Sequence, residues 1–263
     1  MLIHLDDSGA VNVARTGPRG GVPLVLLHAV SMDLSWWAEQ FKVFSPQRDL
    51  IAIDLPGHGL SAQPETPLTL DWMASVVERV LDGIGVAAVD LVGVSVGGMI
   101  AQSLALRRPD LVRSLTLVAT LCTFPDNVRG LLRERARVAR TEGMARIAEL
   151  SIERWFTAAF RARRPDVISR AALGLLRQPG EYHARMWEMI AALELESRLQ
   201  AIRCPTLIVT GTEDINAPPA AAEQIGRAIP GAVVKLMPAL GHFPPFEDPD
   251  GFNVLLRDFL ASF

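Results

Sequence analysis

A serine between two glycines is the first feature of this sequence that could do chemistry. In the stretch GVSVGG, Ser95 has Gly93 two residues before it and Gly97 two residues after it. An apolar run at 89–94 precedes the serine and a helical pattern at 97–108 follows it. A strand-to-helix turn of this kind lifts a serine hydroxyl to the N-terminus of a helix, and its flanking residues must lack side chains because they pack against each other. The pattern indicates a nucleophile, and a close strand–helix contact with an idle serine is the alternative.

A serine hydroxyl is a poor nucleophile unless a general base takes its proton. Two histidines follow Ser95 in the chain. His242 comes just after the last apolar run, where a loop at the carboxyl end of a sheet is expected, and we predict that it is the base. His183 lies in a helical segment, and we expect it to face that segment's own surface or pocket. His58, in the stretch DLPGHGLS, is expected to brace a tight turn.

The base in turn needs a carboxylate that fixes its tautomer and stabilises its charged form. Asp214 follows a buried apolar run by a few residues and is the predicted partner. Its neighbour Glu213 is one alternative, and Asp126, after the preceding apolar run, is another. The chain order Ser95, Asp214, His242 is the order of the α/β-hydrolases.

Acyl transfer also requires donors for the oxyanion that forms in the transition state. The backbone N–H of Val96, directly after the serine, is the first predicted donor. The N–H of Val30, in the loop after the first core strand, is the second. Each such donor is worth about 10²–10³ in rate.

Short apolar runs alternate with longer helical patterns along the chain. The runs lie at 23–30, 49–55, 89–94, 112–120, 205–211 and 232–237, and the helical patterns at 35–45, 69–84, 97–108, 218–228 and 249–262. The runs do not alternate apolar with polar residues, which is typical of strands buried on both faces of a parallel sheet. The sequence therefore predicts an α/β fold with a mostly parallel, doubly wound sheet, and an antiparallel hairpin on the sheet edge at the start of the chain.

The alternation stops between about 125 and 196. This segment contains 13 arginines and no lysine, and it has helical periodicity without a convincing strand. We expect residues 1–124 and 197–263 to form the hydrolase core and residues 125–196 to form a helical cap.

Composition restricts the partners and the compartment. A net charge of −3 and a pI near 6.0 give no reason to expect nucleic acid or an anionic membrane as a partner. Cys122 and Cys204 are too few for a disulfide framework or a structural zinc site. The first residues lack a signal-peptide pattern and no apolar stretch is long enough to span a bilayer. We expect a cytoplasmic protein without cofactor or metal, and leave assembly into a homo-oligomer open.

With these motifs in place, the sequence resembles the α/β-hydrolase superfamily over essentially its whole length. Within it, the chain is most similar to the 3-oxoadipate enol-lactonase-like group of bacterial aromatic catabolism. The stretches VSMDLSWWAEQ, ARTEGMARIAE, RWFTAAF and IPGAVVKLMPALGH carry this likeness. Two stretches differ: His28-Ala29-Val30-Ser31 replaces an Asn-Ser-Leu-Gly-like oxyanion loop, and Pro56 replaces the arginine of a D-x-R-G-H-G turn.

The resemblance implies a cofactor-free serine hydrolase that acts on a small ester or lactone, with 3-oxoadipate enol-lactone as one substrate. That lactone is an anion, so at least one cap arginine is expected to point into the pocket. Aromatic side chains offer an apolar lining, and the predicted pocket residues are Trp36, Trp37, Phe124, Trp155 and Trp187. A carbon–carbon bond hydrolase or perhydrolase with the same triad, and a ligand-binding relative without turnover, are the alternatives.

Overall fold

The computed structural model describes residues 1–6 and 8–263, and it confirms the predicted α/β-hydrolase fold. One sheet of eight strands runs through the molecule in the order β1-β2-β4-β3-β5-β6-β7-β8. The strands are β1 (Leu2–Leu5), β2 (Gly9–Thr16), β3 (Leu24–Leu27), β4 (Leu50–Ile53), β5 (Val89–Val94), β6 (Val112–Val118), β7 (Thr206–Gly211) and β8 (Val233–Met237). Each predicted apolar run therefore forms a strand.

Helices flank this sheet. The α-helices are α1 (Ala38–Phe44), α2 (Leu70–Gly83), α3 (Val96–Arg107), α4 (Asp126–Thr141), α5 (Gly143–Trp155), α6 (Ala158–Arg163), α7 (Pro165–Arg177), α8 (Gly180–Ala191), α9 (Pro219–Ala228), α10 (Pro244–Glu247) and α11 (Pro249–Leu260).

Side-chain caps start two of the predicted helices. The Thr69 hydroxyl accepts from the N–H of Trp72 at 3.1 Å, and the Asp248 carboxylate accepts from that of Gly251 at 3.0 Å.

The carboxyl ends of the central strands lie at the same edge of the sheet. From β4 to β8 in the sheet order, every neighbouring pair is parallel, whereas β1 and β2 form the predicted antiparallel hairpin at one side of the sheet. The loops after β3, β5, β6, β7 and β8 consequently leave the sheet at its carboxyl edge. That edge is where ligands bind in open α/β sheets.

Burial follows sheet position. Strands β3, β4, β5 and β7 are buried at every residue. For β8 the expectation of burial on both faces is wrong, because this strand is mostly exposed. It is the last strand of the sheet and pairs with β7 on one side only, so Val233 and Leu236 are exposed, whereas Met237 is buried.

The chain between β6 and β7 forms the five helices α4 to α8. An isolated antiparallel bridge joins Thr123 to Glu194 where the chain leaves the sheet and returns to it. We use the word cap for residues 125–196, a division into domains that stays a prediction. Within the described residues, every helix falls short of the length and apolar character that a membrane span requires.

Candidate active site

Ser95 occupies a strained turn between β5 and α3. Its backbone has φ 54° and ψ −117°, a region that residues with a side chain rarely adopt. A Cβ added at Gly93 would lie 2.3 Å from the carbonyl oxygen of Gly97, and one added at Gly97 would lie 2.5 Å from that of Leu27. Both positions therefore need glycine, because any side chain would push β5 and α3 apart or push α3 away from β3.

The turn is also held from the neighbouring strand. The N–H of Ser95 donates to the carbonyl oxygen of Val118 at 2.9 Å, at the end of β6. The hydroxyl of Thr120 donates to the carbonyl oxygen of Ser95 at 2.7 Å. These two bonds fix the serine backbone and leave its hydroxyl free to meet His242.

The structure brings Ser95, His242 and Asp214 into one chain of hydrogen bonds. The Oγ of Ser95 lies 3.1 Å from Nε2 of His242, and Nδ1 of His242 lies 2.8 Å from Oδ2 of Asp214. His242 and Asp214 are buried, whereas Ser95 is partly exposed. The arrangement of nucleophile, base and orienting carboxylate matches a serine hydrolase triad.

The second oxygen of Asp214 is held by its own loop. Oδ1 accepts from the N–H groups of Asn216 and Ala217, at 2.8 and 3.0 Å. The loop therefore holds the carboxylate in place independently of the histidine. Neither alternative carboxylate is in this position. Glu213 is exposed, and the side chain of Asp126 is fully exposed at the start of α4.

Two backbone N–H groups are available for an oxyanion. Within residues 1–6 and 8–263, the N–H groups of Val96 and Val30 make no hydrogen bond to protein. Val96 begins α3 directly after the serine, so the positive end of the helix dipole strengthens the attraction of its N–H for an oxyanion. Val30 lies in the loop after β3, next to Ser31, which has φ 60°. We refer to residues 28–31 as the oxyanion loop, a role that stays a prediction.

A buried glutamate braces the loop that carries His242. Oε1 of Glu247 accepts from the N–H of Gly241 at 2.9 Å and from that of Phe243 at 3.3 Å, on either side of the histidine. Oε2 lies 3.4 Å from both the N–H and the hydroxyl of Thr157 in the cap. Burial raises the pKa of Glu247, and these donors oppose the rise. Sequence reasoning missed this residue, although it stands in the stretch GHFPPFEDP that contains His242.

We expect Glu247→Gln to lower kcat about tenfold, because one carboxylate oxygen becomes an NH2 group. That group cannot accept from the N–H of Thr157 or, with the amide turned round, from the two loop N–H groups, and the His242 ring is then less well placed. Steady-state kinetics on p-nitrophenyl acetate measure this effect. The exposed Glu223, changed to glutamine in the same way, is the control. A kcat within twofold of the unaltered protein would show that Glu247 does not position the histidine.

The predicted pocket aromatics have different surroundings. Trp37 has no exposed surface and packs edge-on against Phe246, so its prediction as a pocket residue is wrong. It faces the core because the helical turn at Leu34–Trp37 lies against β3 and β4. Trp36 packs between Phe246 and the guanidinium of Arg170.

One aromatic of the cap, Trp155, lies next to His242, and for Phe124 the pocket role stays a prediction. The ring of Trp155 packs on Phe243, which itself contacts the His242 ring at 4.8 Å between centroids. The carbonyl oxygen of Trp155 accepts from the N–H of His242 at 2.9 Å. Trp187 is partly buried and lies beside His183. For Trp155 and Trp187 the pocket role also stays a prediction.

One cap arginine, Arg135, is partly exposed as a residue but has a buried Nε and no carboxylate partner. The guanidinium of Arg135 lies over the ring of Trp187 at 4.5 Å and donates to the hydroxyl of Ser151 at 2.6 Å. Among the described residues no carboxylate forms an ion pair with it, and both its Nε–H and the Nε1–H of Trp187 are buried without a partner. Burial, with a smaller contribution from the charge of Arg154, lowers the pKa of Arg135 to about 10.

Three histidines form a buried polar cluster that sequence reasoning did not find. Burial lowers the pKa of His28 to about 4, of His58 to about 3 and of His183 to about 2. We expect from the sequence that His183 faces either the surface or a pocket of the cap. The surface alternative is wrong, because its ring is fully buried beside the oxyanion loop. His58 does brace its turn, since its Nδ1 lies 3.0 Å from the carbonyl oxygen of Pro56.

A cavity of about 530 Å³ opens beside this cluster. Its wall includes Ser31, His58 and Gln178, and the three triad residues are not part of it. None of the five predicted pocket aromatics lines it. Its wall therefore meets the predicted site at Ser31 of the oxyanion loop and not at the triad.

With this geometry established, comparison with known proteins shows what the chain is similar to. A model of the family described as alpha/beta hydrolase fold matches residues 22–249. The curated 3-oxoadipate enol-lactonase 2 of Acinetobacter baylyi is 26% identical, and the match covers 97% of this chain and 94% of that protein.

Solved structures agree. The enol-lactonase from Burkholderia xenovorans LB400 superimposes with a TM-score of 0.93 at 29% identity, over 100% of each chain. A thermophilic esterase from Thermogutta terrifontis, solved with malate bound, superimposes with a TM-score of 0.91 at 27% identity, over 100% of this chain and 98% of that one. The resemblance to the enol-lactonase group that the sequence indicates is confirmed.

Proposed function

The chain belongs to the alpha/beta hydrolase fold family, and we propose that within it the protein is a serine hydrolase that cleaves a small carboxylic ester or lactone through an acyl-enzyme. The observation that carries the proposal is the hydrogen-bond chain from Asp214 through His242 to Ser95. A serine at this turn, rather than an aspartate, excludes the ester-forming carboxylate that dehalogenases and epoxide hydrolases of this fold require.

The first half of the reaction forms the acyl-enzyme. Oγ of Ser95 attacks the carbonyl carbon while Nε2 of His242 takes its proton, and Asp214 stabilises the imidazolium. The N–H groups of Val96 and Val30 bind the oxyanion of the tetrahedral intermediate. The carbon–oxygen bond of the substrate then breaks, and His242 gives its proton to the departing oxygen.

The second half releases the acid. Water attacks the acyl carbon while His242 takes a proton from it, and His242 returns this proton to Oγ of Ser95 as the acyl–oxygen bond breaks. In a lactone the departing oxygen belongs to the same molecule as the acyl group, so hydrolysis yields one hydroxy acid, or a keto acid when the oxygen is enolic. Such a reaction needs no other reactant than water.

We further propose that the substrate carries a carboxylate. The buried donors of Arg135 and Trp187 have no partner in the protein, and buried unpaired donors are rare enough to indicate a ligand. A carboxylate accepts from both donors and neutralises the guanidinium. His183 connects this pair to the oxyanion loop, because its ring contacts Trp187 and its Nδ1 lies 3.2 Å from the hydroxyl of Ser31.

The similar proteins support the same substrate class. The matched relatives include enol-lactonases, and the Thermogutta terrifontis esterase binds malate, a dicarboxylate. An enol-lactone with a free carboxylate, such as 3-oxoadipate enol-lactone, satisfies both the ester chemistry of Ser95 and the charge of Arg135.

A substrate panel tests the proposal. Acid release is measured by pH-stat for anionic enol-lactones, neutral lactones of equal ring size and p-nitrophenyl esters. We expect a higher kcat/KM on the anionic lactones. A preference for neutral esters would contradict the proposed substrate class, and a protein inert on the whole panel would contradict the proposed function.

Replacing Arg135 with methionine should raise KM for carboxylate-bearing lactones about 10- to 100-fold, since a charge-assisted hydrogen bond to a buried carboxylate is worth about 1.5–3 kcal/mol. The same change should leave neutral esters within threefold. Kinetics on one anionic and one neutral substrate measure the difference. Arg133, exposed on the same helix, supplies the matched control Arg133→Met. Equal losses on both substrates would mean that Arg135 only packs the cap.

A further inference from the structure

The oxyanion loop ends in a conformation that needs support. Ser31 has φ 60°, which is unfavourable for a residue with a Cβ. It directly follows Val30, whose N–H is the proposed second donor to the oxyanion. The direction of that N–H therefore depends on whatever holds Ser31 in place.

The cap holds it. Oγ of Ser31 donates to Oε1 of Gln178 at 2.5 Å, between α7 and α8. Nδ1 of His183 lies 2.9 Å from the same Oε1. On the backbone side, a Cβ at Gly174 would lie 2.6 Å from the carbonyl oxygen of Ser31, so α7 packs directly against this residue.

The other end of Gln178 reaches the core. Its Nε2 lies 2.9 Å from Nε2 of His58. Because Nδ1 of His58 faces the carbonyl oxygen of Pro56 at 3.0 Å, it must donate there, and Nε2 of His58 is left as an acceptor. The amide nitrogen of Gln178 therefore points to His58, which places its oxygen toward Ser31 and His183.

A second tie holds the start of the loop to the sheet. Nε2 of His28 accepts from the N–H of Leu55 at 2.9 Å, and Nδ1 of His28 lies 2.7 Å from the carbonyl oxygen of Ala29. The loop is thus fixed by the core at His28 and by the cap at Ser31, with Val30 between the two.

We propose that Gln178 is a positioning residue for the oxyanion hole: through Ser31 it sets the Val30 N–H, so the hole is complete only when the cap is seated on the core. This inference rests on the proposed serine hydrolase function. Gln178 does not touch the reacting atoms, since it acts through the serine hydroxyl and the turn that contains His58.

The test compares variants that keep the size of the side chain. Gln178→Met removes all three hydrogen bonds of this side chain, to Ser31, His183 and His58, whereas Gln178→Glu keeps the acceptor oxygen facing Ser31. Ser31→Ala removes the same bond from the core side. Arg177→Met, an exposed neighbour in the same cavity wall, is the control, and we expect it to match the unaltered protein.

Two readouts separate positioning from mere stability. One is kcat and KM on p-nitrophenyl acetate. The other is the inhibition constant of phenylboronic acid, whose tetrahedral adduct with Ser95 places a charged oxygen in the oxyanion hole. We expect Gln178→Met and Ser31→Ala to lower kcat about 10- to 100-fold, with KM within threefold and a matching rise in the inhibition constant. Gln178→Glu should recover at least part of the loss.

Folding is checked by the thermal unfolding midpoint, and Ser31→Ala serves if Gln178→Met does not fold. A kcat and a boronate affinity within twofold of the unaltered protein, in a folded variant, would overturn the role of Gln178 alone. An equal loss for Gln178→Glu and Gln178→Met would also overturn it. If the unaltered protein shows no Ser95-dependent turnover, the proposed function fails, and this role fails with it.

Discussion

Replacing Ser95 with alanine is expected to lower kcat/KM on p-nitrophenyl acetate and butyrate by about 10⁶, the scale of loss on removing the nucleophile of a serine hydrolase. The hydroxyl of Ser95 is the group that meets Nε2 of His242, at 3.1 Å. The remaining activity should come from the oxyanion donors and binding alone. The exposed Ser262, changed to alanine, is the control.

Covalent labelling tests the role of Ser95 as the nucleophile without requiring turnover. An alkyl fluorophosphonate should add once to the unaltered protein, as seen by intact mass, and should not add to Ser95→Ala. If both proteins are unlabelled and equally inert while small carboxylates still bind, the chain is a ligand-binding relative that retains the fold. That outcome would contradict the proposed function.

Asp214→Asn should lower kcat by about 10⁴, because an amide can no longer hold His242 in the tautomer that accepts the serine proton. The native carboxylate accepts from Nδ1 of His242 at 2.8 Å and from two N–H groups of its own loop. Steady-state kinetics measure the loss, with KM expected to change little. Thermal unfolding checks that the loop still folds.

Glu213→Gln is the matched control for this change. Glu213 is adjacent in sequence but exposed, so its variant should stay within twofold of the unaltered protein. If Asp214→Asn keeps substantial activity, the orienting carboxylate lies elsewhere, and Glu213 and the exposed Asp126 would be examined next. A loss in both variants would point to the loop rather than to one carboxylate.

The sequence predicts the sheet well, for a local reason. Runs such as 89–94 and 205–211 are apolar on both faces, a pattern typical of strands in the interior of a parallel sheet, and both strands are buried at every residue. The prediction for 232–237 is wrong about burial, because being last in a sheet is a property of strand order and not of the run itself.

The pocket and the cap were less predictable. Trp36 and Trp37 are adjacent and alike in sequence, and the structure buries both against Phe246, where the sequence predicts pocket residues. Helical periodicity gives the spacing of side chains on α4 but not which of its arginines faces α8. Arg135 is distinguished from its neighbours by its contacts with Ser151 and with the ring of Trp187, which lies 52 positions later in the chain.

By itself, the sequence determined the fold family and which serine, aspartate and histidine would meet. It could do so because in a parallel sheet the loops after successive strands leave at one edge, so chain order already implies proximity. The tertiary structure decided which residues surround them. These are Arg135, which has no carboxylate partner, Glu247, which holds the His242 loop, and Gln178, which is hydrogen-bonded to Ser31. Those contacts join segments with no local pattern in common, and only packing the cap on the core brings them together.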